Sequence, residues 1–114
     1  YYDPSDIYRL AEAFPDLKIC ITHGGWPQVM PMIHQAYAHK NVYLSPDAYF
    51  SGWPGSQDYI TAANTILADK IIFGSAFPCI SLTDALKLYL EVGVKMESLP
   101  KILYDNAARF LGLE

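Results

Sequence analysis

Three short apolar segments, separated by longer segments of helical period, set what this chain can fold into. The apolar segments lie at residues 17–22, 41–45 and 71–73. Helical spacing of apolar residues marks 4–14, Met30 onward, 56–67, 82–92 and 98 onward. Parallel strands need long crossover connections, and these are usually helices. The pattern therefore predicts an α/β fold in which helices cover a parallel sheet.

The number of strands leaves two architectures open. A closed (β/α)₈ barrel takes roughly 250 residues, whereas this chain has 114. At about 30 residues for each strand–helix unit, the chain supplies a little over three units. We expect either a small open α/β layer or the end of a barrel whose beginning is missing. The chain starts with Tyr1 rather than Met and has no leader pattern, which favours a cut chain.

Charge and hydropathy exclude several classes of partner. The chain has 8 basic and 12 acidic residues and a formal charge of −4, so it offers no basic surface to nucleic acid or to an anionic membrane. Its apolar runs are far shorter than the roughly 20 residues of a membrane-spanning helix. Cys20 and Cys79 have no paired spacing, and they are predicted to be buried thiols in a reducing compartment. We therefore expect a cytoplasmic protein that acts on a small molecule.

The ends of the three predicted strands carry the candidate chemistry, because parallel α/β folds place their sites at the carboxyl ends of strands. His23 ends the first strand, Asp47 follows the second and Ala76 follows the third. We expect all three to converge on one edge of the sheet. The bare backbone of Gly24 and Gly25 lets a ligand or another loop approach His23. His23 is then a general acid or base or a metal ligand, or else a polar residue hydrogen-bonded under a loop.

Four residues that follow the second strand are candidates, each with a structural alternative. Asp47 is either a functional carboxylate or a turn residue bonded to its own backbone. Tyr49 and Trp53 either line a pocket for a planar substrate or cover the core, and the same alternatives apply to Tyr59.

Other polar residues are predicted to have structural roles. Ser75 and Cys79 have no activating base beside them in the sequence, so neither is expected to be a nucleophile. His34 and His39 lie off the apolar stripe of the second helix and are predicted to be solvated. Asn106 falls on the core stripe of the last helix, where a buried amide must be hydrogen-bonded. We predict that it ties that helix to neighbouring backbone.

Five segments, in order, resemble the amidohydrolase-related family, the branch of the amidohydrolase superfamily that holds aminocarboxymuconate-semialdehyde decarboxylase and the resorcylate-type decarboxylases. They are Phe-Pro-Asp-Leu-Lys at 14–18, Ile-Thr-His-Gly-Gly at 21–25, Asn-Val-Tyr at 41–43, Lys-Ile-Ile-Phe-Gly-Ser-Ala-Phe-Pro at 70–78 and Asn-Ala-Ala-Arg-Phe-Leu at 106–111. The resemblance covers nearly all 114 residues. It implies that residues 1–114 are the C-terminal third of one TIM (β/α)₈ barrel domain, with strands six to eight and their helices.

The resemblance also implies a metal centre in the full-length protein. Proteins of the family bind one divalent metal, usually zinc, through a His-x-His pair on the first strand, a histidine on the fifth and an aspartate on the eighth. The resemblance places the histidine ligands outside this chain and matches His23 to a catalytic histidine beside the metal. Ala76 stands at the aspartate position. Alanine can neither bind a metal nor titrate. Because the chain offers one well-placed histidine and a stable zinc site needs three or four protein ligands, no metal is expected for this chain alone.

The alanine leaves four explanations open. Asp47 replaces the missing carboxylate, or three histidines hold a weaker metal site. Otherwise the protein is a metal-free relative that binds a ligand, or Ala76 is an engineered replacement of an ordinary aspartate.

The resemblance implies metal-dependent hydrolysis or non-oxidative decarboxylation of a small carboxylated or aromatic compound. His23 and Asp47 are the expected catalytic residues, and Tyr49 and Trp53 the expected pocket. The alternative, favoured by Ala76, is an inactive barrel that serves as a ligand-binding or scaffold protein. Because a barrel fragment has an open sheet edge, we also expect a homo-oligomer or association with the missing N-terminal part.

Overall fold

Helices and strands alternate along the first half of the chain in the computed structural model, which describes residues 3–113. The strands are β1 (Ile19–Thr22) and β2 (Val42–Ser45), and the helices are α1 (Pro4–Ala13), α2 (Val29–Ala38), α3 (Ser56–Asn64), α4 (Leu82–Glu91) and α5 (Asn106–Leu111). Short 3₁₀ turns follow the two strands, at His23–Gly25 and Asp47–Phe50. Within residues 3–113, no helix is long and apolar enough to cross a membrane.

Capping residues explain where α1 and α4 begin. Asp3 Oδ1 accepts a hydrogen bond from the Ser5 amide at 2.9 Å, and Pro4 occupies the first turn of α1. Ser81 Oγ accepts one from the Asp84 amide at 3.1 Å at the start of α4. Each cap satisfies a first-turn donor that helix geometry leaves without a partner. The start of α1 predicted from the sequence is confirmed.

β1 and β2 form a parallel pair whose ends lie side by side. The register runs from Ile19 opposite Val42 to Thr22 opposite Ser45. Helix α2 makes the crossover between the two strands and buries Met32 completely in the core. The predicted α/β fold with a parallel sheet is confirmed.

The third predicted strand, residues 71–73, is wrong in extent. Ile71 alone pairs with the sheet, through one parallel bridge to Leu44. The Phe73 amide donates instead to the carbonyl of Ile102 at 3.1 Å. Backbone amides in a folded chain need hydrogen-bond partners. The partner of the Phe73 amide is thus a carbonyl distant in sequence rather than the neighbouring strand. The segment therefore leaves the ladder after a single bridge.

A π-helical turn, Lys101–Asp105, leads into α5, and a π turn holds more residues than an α turn. The buried residues of this region are Ile102 in the turn and Asn106 and Ala108 in α5. Asn106 is fully buried, and its Nδ2 donates to the Ile71 carbonyl at 2.8 Å. Its predicted role as a structural tie is confirmed.

The prediction that His39 is solvated is wrong. Its side chain is 11% exposed. Nδ1 lies 3.2 Å from the Gln35 carbonyl, and Nε2 lies 3.0 Å from Glu12 Oε2. The ring therefore joins the end of α2 to α1. His34 is exposed, as predicted.

Lys70 joins three backbone segments through one ammonium group. Its Nζ donates to the carbonyls of Ala36, His39 and Val42 at 2.9, 2.9 and 2.6 Å. Burial, with a smaller contribution from the Arg109 charge, lowers the pKa of Lys70 to about 8. The group thus remains mostly charged at pH 7, with three N–H donors. It complements the carboxyl end of α2 and holds the start of β2 beside it.

Replacing Lys70 with methionine is expected to lower the free energy of unfolding by about 2 kcal/mol at pH 7, because three carbonyls lose a charged donor. Urea denaturation measures this loss. Lys101→Met is the matched control: Lys101 Nζ lies 3.0 Å from Asp69 Oδ1 in an exposed ion pair, which is worth less than about 1 kcal/mol. Equal losses for the two variants would contradict the role assigned to Lys70.

Candidate functional site

His23 and Asp47 form a hydrogen-bonded pair at the ends of β1 and β2. Asp47 Oδ2 lies 2.7 Å from His23 Nδ1 and accepts the His23 backbone N–H at 3.0 Å. The other oxygen, Oδ1, accepts the backbone N–H of Ala48. The Asp47 side chain is 7% exposed, whereas that of His23 is 54% exposed. A buried carboxylate therefore holds an imidazole that reaches solvent.

This pairing decides which nitrogen of His23 is available for chemistry. A carboxylate has no hydrogen to donate, so in the neutral ring Nδ1 carries the hydrogen and Nε2 has the lone pair. An imidazole oriented in this way can accept a proton or bind a metal at Nε2. Asp47 also accepts the Ala48 amide, which is the contact expected of a turn residue, and its role as a site carboxylate stays a prediction.

A cavity of about 250 Å³ opens beside the pair. The segments after β1, after β2 and after the Ile71 bridge all contribute to its lining, which comprises His23, Ala48, Tyr49, Trp53, Ala76 and Cys79. The third segment thus reaches the same edge of the sheet as the first two. A larger hollow, of about 380 Å³, lies along α5 beside Tyr104 and Arg109. It contains no strand-end residue, so we place the site at the smaller cavity.

Three aromatic side chains, which we call the aromatic cluster, stand beside His23: Trp26, Tyr49 and Trp53. Trp26 stacks on Tyr49 with ring centroids 5.1 Å apart, and Trp53 lies 5.0 Å from Tyr49. Tyr49 meets the His23 ring edge-on at 6.2 Å. Sequence reasoning missed Trp26, although its position directly after Gly25 was a signal. Tyr49 and Trp53 lie on the cavity wall, where a flat substrate could stack on them.

Tyr59 belongs to the core rather than to the cavity wall. It is fully buried, and its hydroxyl donates to the Gly24 carbonyl at 2.8 Å. A Cβ on Gly24 would lie 2.5 Å from the Tyr59 ring, and one on Gly25 would lie 2.3 Å from Met32 Cγ. Because Gly24 and Gly25 have no Cβ, the side chains of Tyr59 and Met32 pack directly against the backbone that follows His23.

The two cysteines differ in their surroundings. Cys20, in β1, is partly buried, and burial with the nearby charge of Asp47 raises its pKa to about 11, so it stays a neutral thiol. Cys79 is exposed and lines the cavity, so the prediction of a buried thiol is wrong there. The Cys79 amide donates to the Ala76 carbonyl at 2.8 Å. This turn folds the segment back to the cavity, which spacing along the sequence did not indicate.

The three strand-end residues share a left-handed backbone. Their φ angles are +57° at His23, +46° at Asp47 and +55° at Ala76. Histidine and aspartate adopt this conformation more readily than most residues, whereas alanine has no polar group to compensate for the crowding of its Cβ. Strain of this kind concentrates at functional sites. The backbone at position 76 thus suits glycine, asparagine or aspartate better than alanine.

Ala76→Gly is expected to raise the free energy of unfolding by about 1 kcal/mol, because glycine adopts a positive φ without the Cβ penalty. Urea denaturation provides the measurement. Ala48→Gly is the matched control, since Ala48 lines the same cavity without a positive φ; we expect it to lower stability. A loss in both variants would show that Ala76 is not strained.

The described residues do not by themselves fit a zinc site. Across residues 3–113, no three His, Cys, Asp or Glu side chains are placed to hold a metal ion together. A stable zinc site takes three or four protein ligands. His23 Nε2 is one suitable donor at the cavity, and Ala76 contributes none.

Comparison with known proteins agrees with the α/β fold and its parallel sheet. The amidohydrolase family matches residues 1–113. The chain belongs to the amidohydrolase family. A solved structure, an uncharacterized TIM-barrel protein, Bb4693, from Bordetella bronchiseptica, is 42% identical to this amidohydrolase chain, with a TM-score of 0.89. The similarity covers 96% of this chain and 39% of that one, so the chain spans about two fifths of that barrel protein.

A search of curated proteins gave no match to this chain. The family match and the TIM-barrel neighbour support an α/β fold of the TIM-barrel type. In TIM barrels the active site lies at the carboxyl ends of the strands, the position that His23 and Asp47 occupy here.

Proposed function

We propose that this amidohydrolase chain supplies the acid–base histidine of a barrel enzyme that hydrolyses or decarboxylates a small carboxylated or aromatic compound. The observation that carries the proposal is the 2.7 Å contact between His23 Nδ1 and the buried Asp47 Oδ2. In the neutral imidazole, that contact places the hydrogen on Nδ1 and leaves the lone pair on Nε2. A general base needs a lone pair held in a fixed direction toward its substrate, and a buried carboxylate behind the ring provides it.

Both reaction classes use the same ring nitrogen. In hydrolysis, Nε2 of His23 accepts a proton from the attacking water, and the resulting imidazolium stabilises the developing charge. In decarboxylation, protonated His23 delivers its proton to the carbon that loses carbon dioxide. In each case the Asp47 carboxylate stabilises the imidazolium and preserves its orientation.

Two aromatic rings on the wall of the cavity of about 250 Å³ support a flat substrate. Tyr49 and Trp53 lie 5.0 Å apart at its wall, and an aromatic ring or a planar unsaturated chain could stack on either. An anionic carboxylate on such a compound would find a partner in protonated His23.

We also propose that the chain is the C-terminal third of the barrel, strands six to eight, and that the complete protein holds one zinc or another divalent ion through residues outside this chain. The 39% coverage of the TIM-barrel neighbour supports a part of a barrel of this size, and the C-terminal placement rests on the order of the five segments that resemble the family. We assign no chemical step to the metal, because the described residues offer no ligand cluster for it.

The exposed surface supports association with further protein. Among residues 3–113, β1 pairs with β2 alone, so its outer edge has no strand beside it. Helix α4 exposes three leucines at intervals of four residues, Leu82, Leu86 and Leu90, at 63%, 41% and 52%. An open parallel edge and an apolar helix face are covered in stable proteins. We propose that the N-terminal part of the barrel, or a second copy of this chain, covers them.

Turnover by the full-length protein tests the proposed function. One set of compounds contains aromatic carboxylic acids, assayed for carbon dioxide release, and the other contains small amides, esters and lactones, assayed for hydrolysis. We expect turnover in one set, which also decides between the two reaction classes. Turnover in neither set, with binding of an aromatic acid retained, would overturn the proposal and favour an inactive, ligand-binding barrel.

A further inference from the structure

Two buried tyrosine hydroxyls bond to the backbone on either side of the His23–Asp47 contact. Tyr59, from α3, donates to the Gly24 carbonyl at 2.8 Å. Tyr89, from α4, donates to the carbonyl of Asp47 itself at 3.3 Å. Both tyrosines are completely buried. Two separate helices thus reach the two turns that carry the site.

The rings of these tyrosines have little freedom to move. Tyr89 stacks on Phe50 with centroids 4.2 Å apart and an interplanar angle of 10°, and Phe73 contacts its edge at 4.9 Å. The Tyr59 ring lies so close to Gly24 that a Cβ there would come within 2.5 Å of it. Close-packed interiors resist such displacements. The positions of both hydroxyls are therefore fixed by the core.

The backbone that they hold would not keep its conformation through local preference. His23 and Asp47 have φ angles of +57° and +46°, a region that costs an L residue free energy. Gly24 directly follows His23, and the Asp47 carbonyl belongs to the residue whose carboxylate orients the imidazole. Holding these two peptide units fixes both ends of the 2.7 Å contact.

We propose that Tyr59 and Tyr89 are positioning residues of the site: their hydroxyls hold the left-handed turns after β1 and β2 and thereby set the tautomer and direction of the His23 ring. The inference rests on the role of His23 in the proposed function. It assigns these tyrosines no contact with substrate, because both are buried behind the turns and neither lines the cavity.

The chemistry of the two hydroxyls fits a holding role. Burial is the main cause that raises the pKa of Tyr59 and of Tyr89 well above the ordinary value for tyrosine, with the charge of Asp47 adding to it. Both groups therefore remain neutral donors throughout the physiological pH range. Each donates its hydrogen to a carbonyl, so neither takes part in a proton transfer at the cavity.

The test compares Tyr59→Phe and Tyr89→Phe with Tyr43→Phe in the full-length protein. Tyr43 is a matched control, because it is 5% exposed and packs on Phe110 at 5.2 Å, away from the cavity. The readout is the ¹⁵N spectrum of the His23 ring, assigned with His23→Gln. We expect the preference for hydrogen on Nδ1 to fall by about tenfold in each of the first two variants, the value of one hydrogen bond. We expect no change in Tyr43→Phe.

Unchanged His23 spectra in Tyr59→Phe and Tyr89→Phe would overturn the proposal and leave both tyrosines as core residues. A second measurement needs no variant: ¹³Cζ-labelled tyrosine in a 1:1 mixture of H₂O and D₂O. Separate OH and OD signals for Tyr59 and Tyr89 are expected, since their hydroxyls are bonded and buried; one averaged signal for either would contradict the inference. Neither readout requires turnover, so failure of the proposed function would be distinguishable from failure of this inference.

Discussion

Asp47→Ala is expected to lower the free energy of unfolding by about 3 kcal/mol, because the Asp47 carboxylate accepts three hydrogen bonds in a buried position. The donors are the backbone N–H and Nδ1–H of His23 and the backbone N–H of Ala48. Removing the carboxylate leaves two backbone donors without an acceptor and frees the imidazole. Urea denaturation at pH 7 measures the loss.

Asp16→Ala is the control for Asp47→Ala, since Asp16 is exposed in a turn. Surface changes of that kind cost less than about 0.5 kcal/mol. A loss below about 1 kcal/mol for Asp47→Ala would contradict the three hydrogen bonds assigned to the carboxylate.

Ala76→Asp in the full-length protein is expected to strengthen binding of the proposed divalent ion, so that more metal stays bound through purification than in the unmodified protein, because the variant adds a carboxylate at the strand end beside His23. The backbone is already suitable, since φ at Ala76 is +55° and aspartate adopts that region readily. Elemental analysis of the purified protein, before and after addition of zinc, gives the metal content.

Ala48→Asp is the control for that variant. Ala48 lines the same cavity but has no positive φ, so a carboxylate there adds negative charge without reproducing the strand-end geometry. Equal metal uptake by the two variants would indicate adventitious binding. No uptake by Ala76→Asp would contradict the placement of residue 76 at a ligand position.

The fold was predictable where local signals decide it. Asp3 and Pro4 mark the start of α1 through capping chemistry, which acts within one helical turn. The apolar runs that became β1 and β2 are short and flanked by turns, so their parallel pairing followed from the helix between them. The prediction of the third strand was wrong in extent, because the Phe73 amide donates to the carbonyl of Ile102, which is distant in sequence.

Helix faces were predictable only where the helical period is regular. No pattern of apolar residues indicated the π-helical turn Lys101–Asp105 that precedes α5. His39 lies off the apolar stripe of α2, yet Glu12 of α1 covers it. Periodicity describes one helix at a time and does not show what packs against its polar side.

The sequence predicted which residues of the candidate site lie at the strand ends, but it did not predict which of them contact each other. The strand-end rule places His23, Asp47 and Ala76 at one edge, and the structure puts His23 and Ala76 on the same cavity. The direct contact between His23 and Asp47 depends on the left-handed φ at both residues, which the sequence did not specify. Cys79 reaches the cavity through the turn after Ala76, whose φ is also positive.

Turnover of His23→Gln, relative to the unmodified full-length protein, tests the central claim most directly. His34→Gln provides the matched control, because His34 is an exposed histidine on α2 that does not line the cavity. Removing the acid–base group is expected to lower kcat/KM by roughly 10²–10⁴-fold, and His34→Gln is expected to leave it unchanged. If His23→Gln, folded as judged by its thermal unfolding, retained full kcat/KM, His23 would not be the acid–base residue.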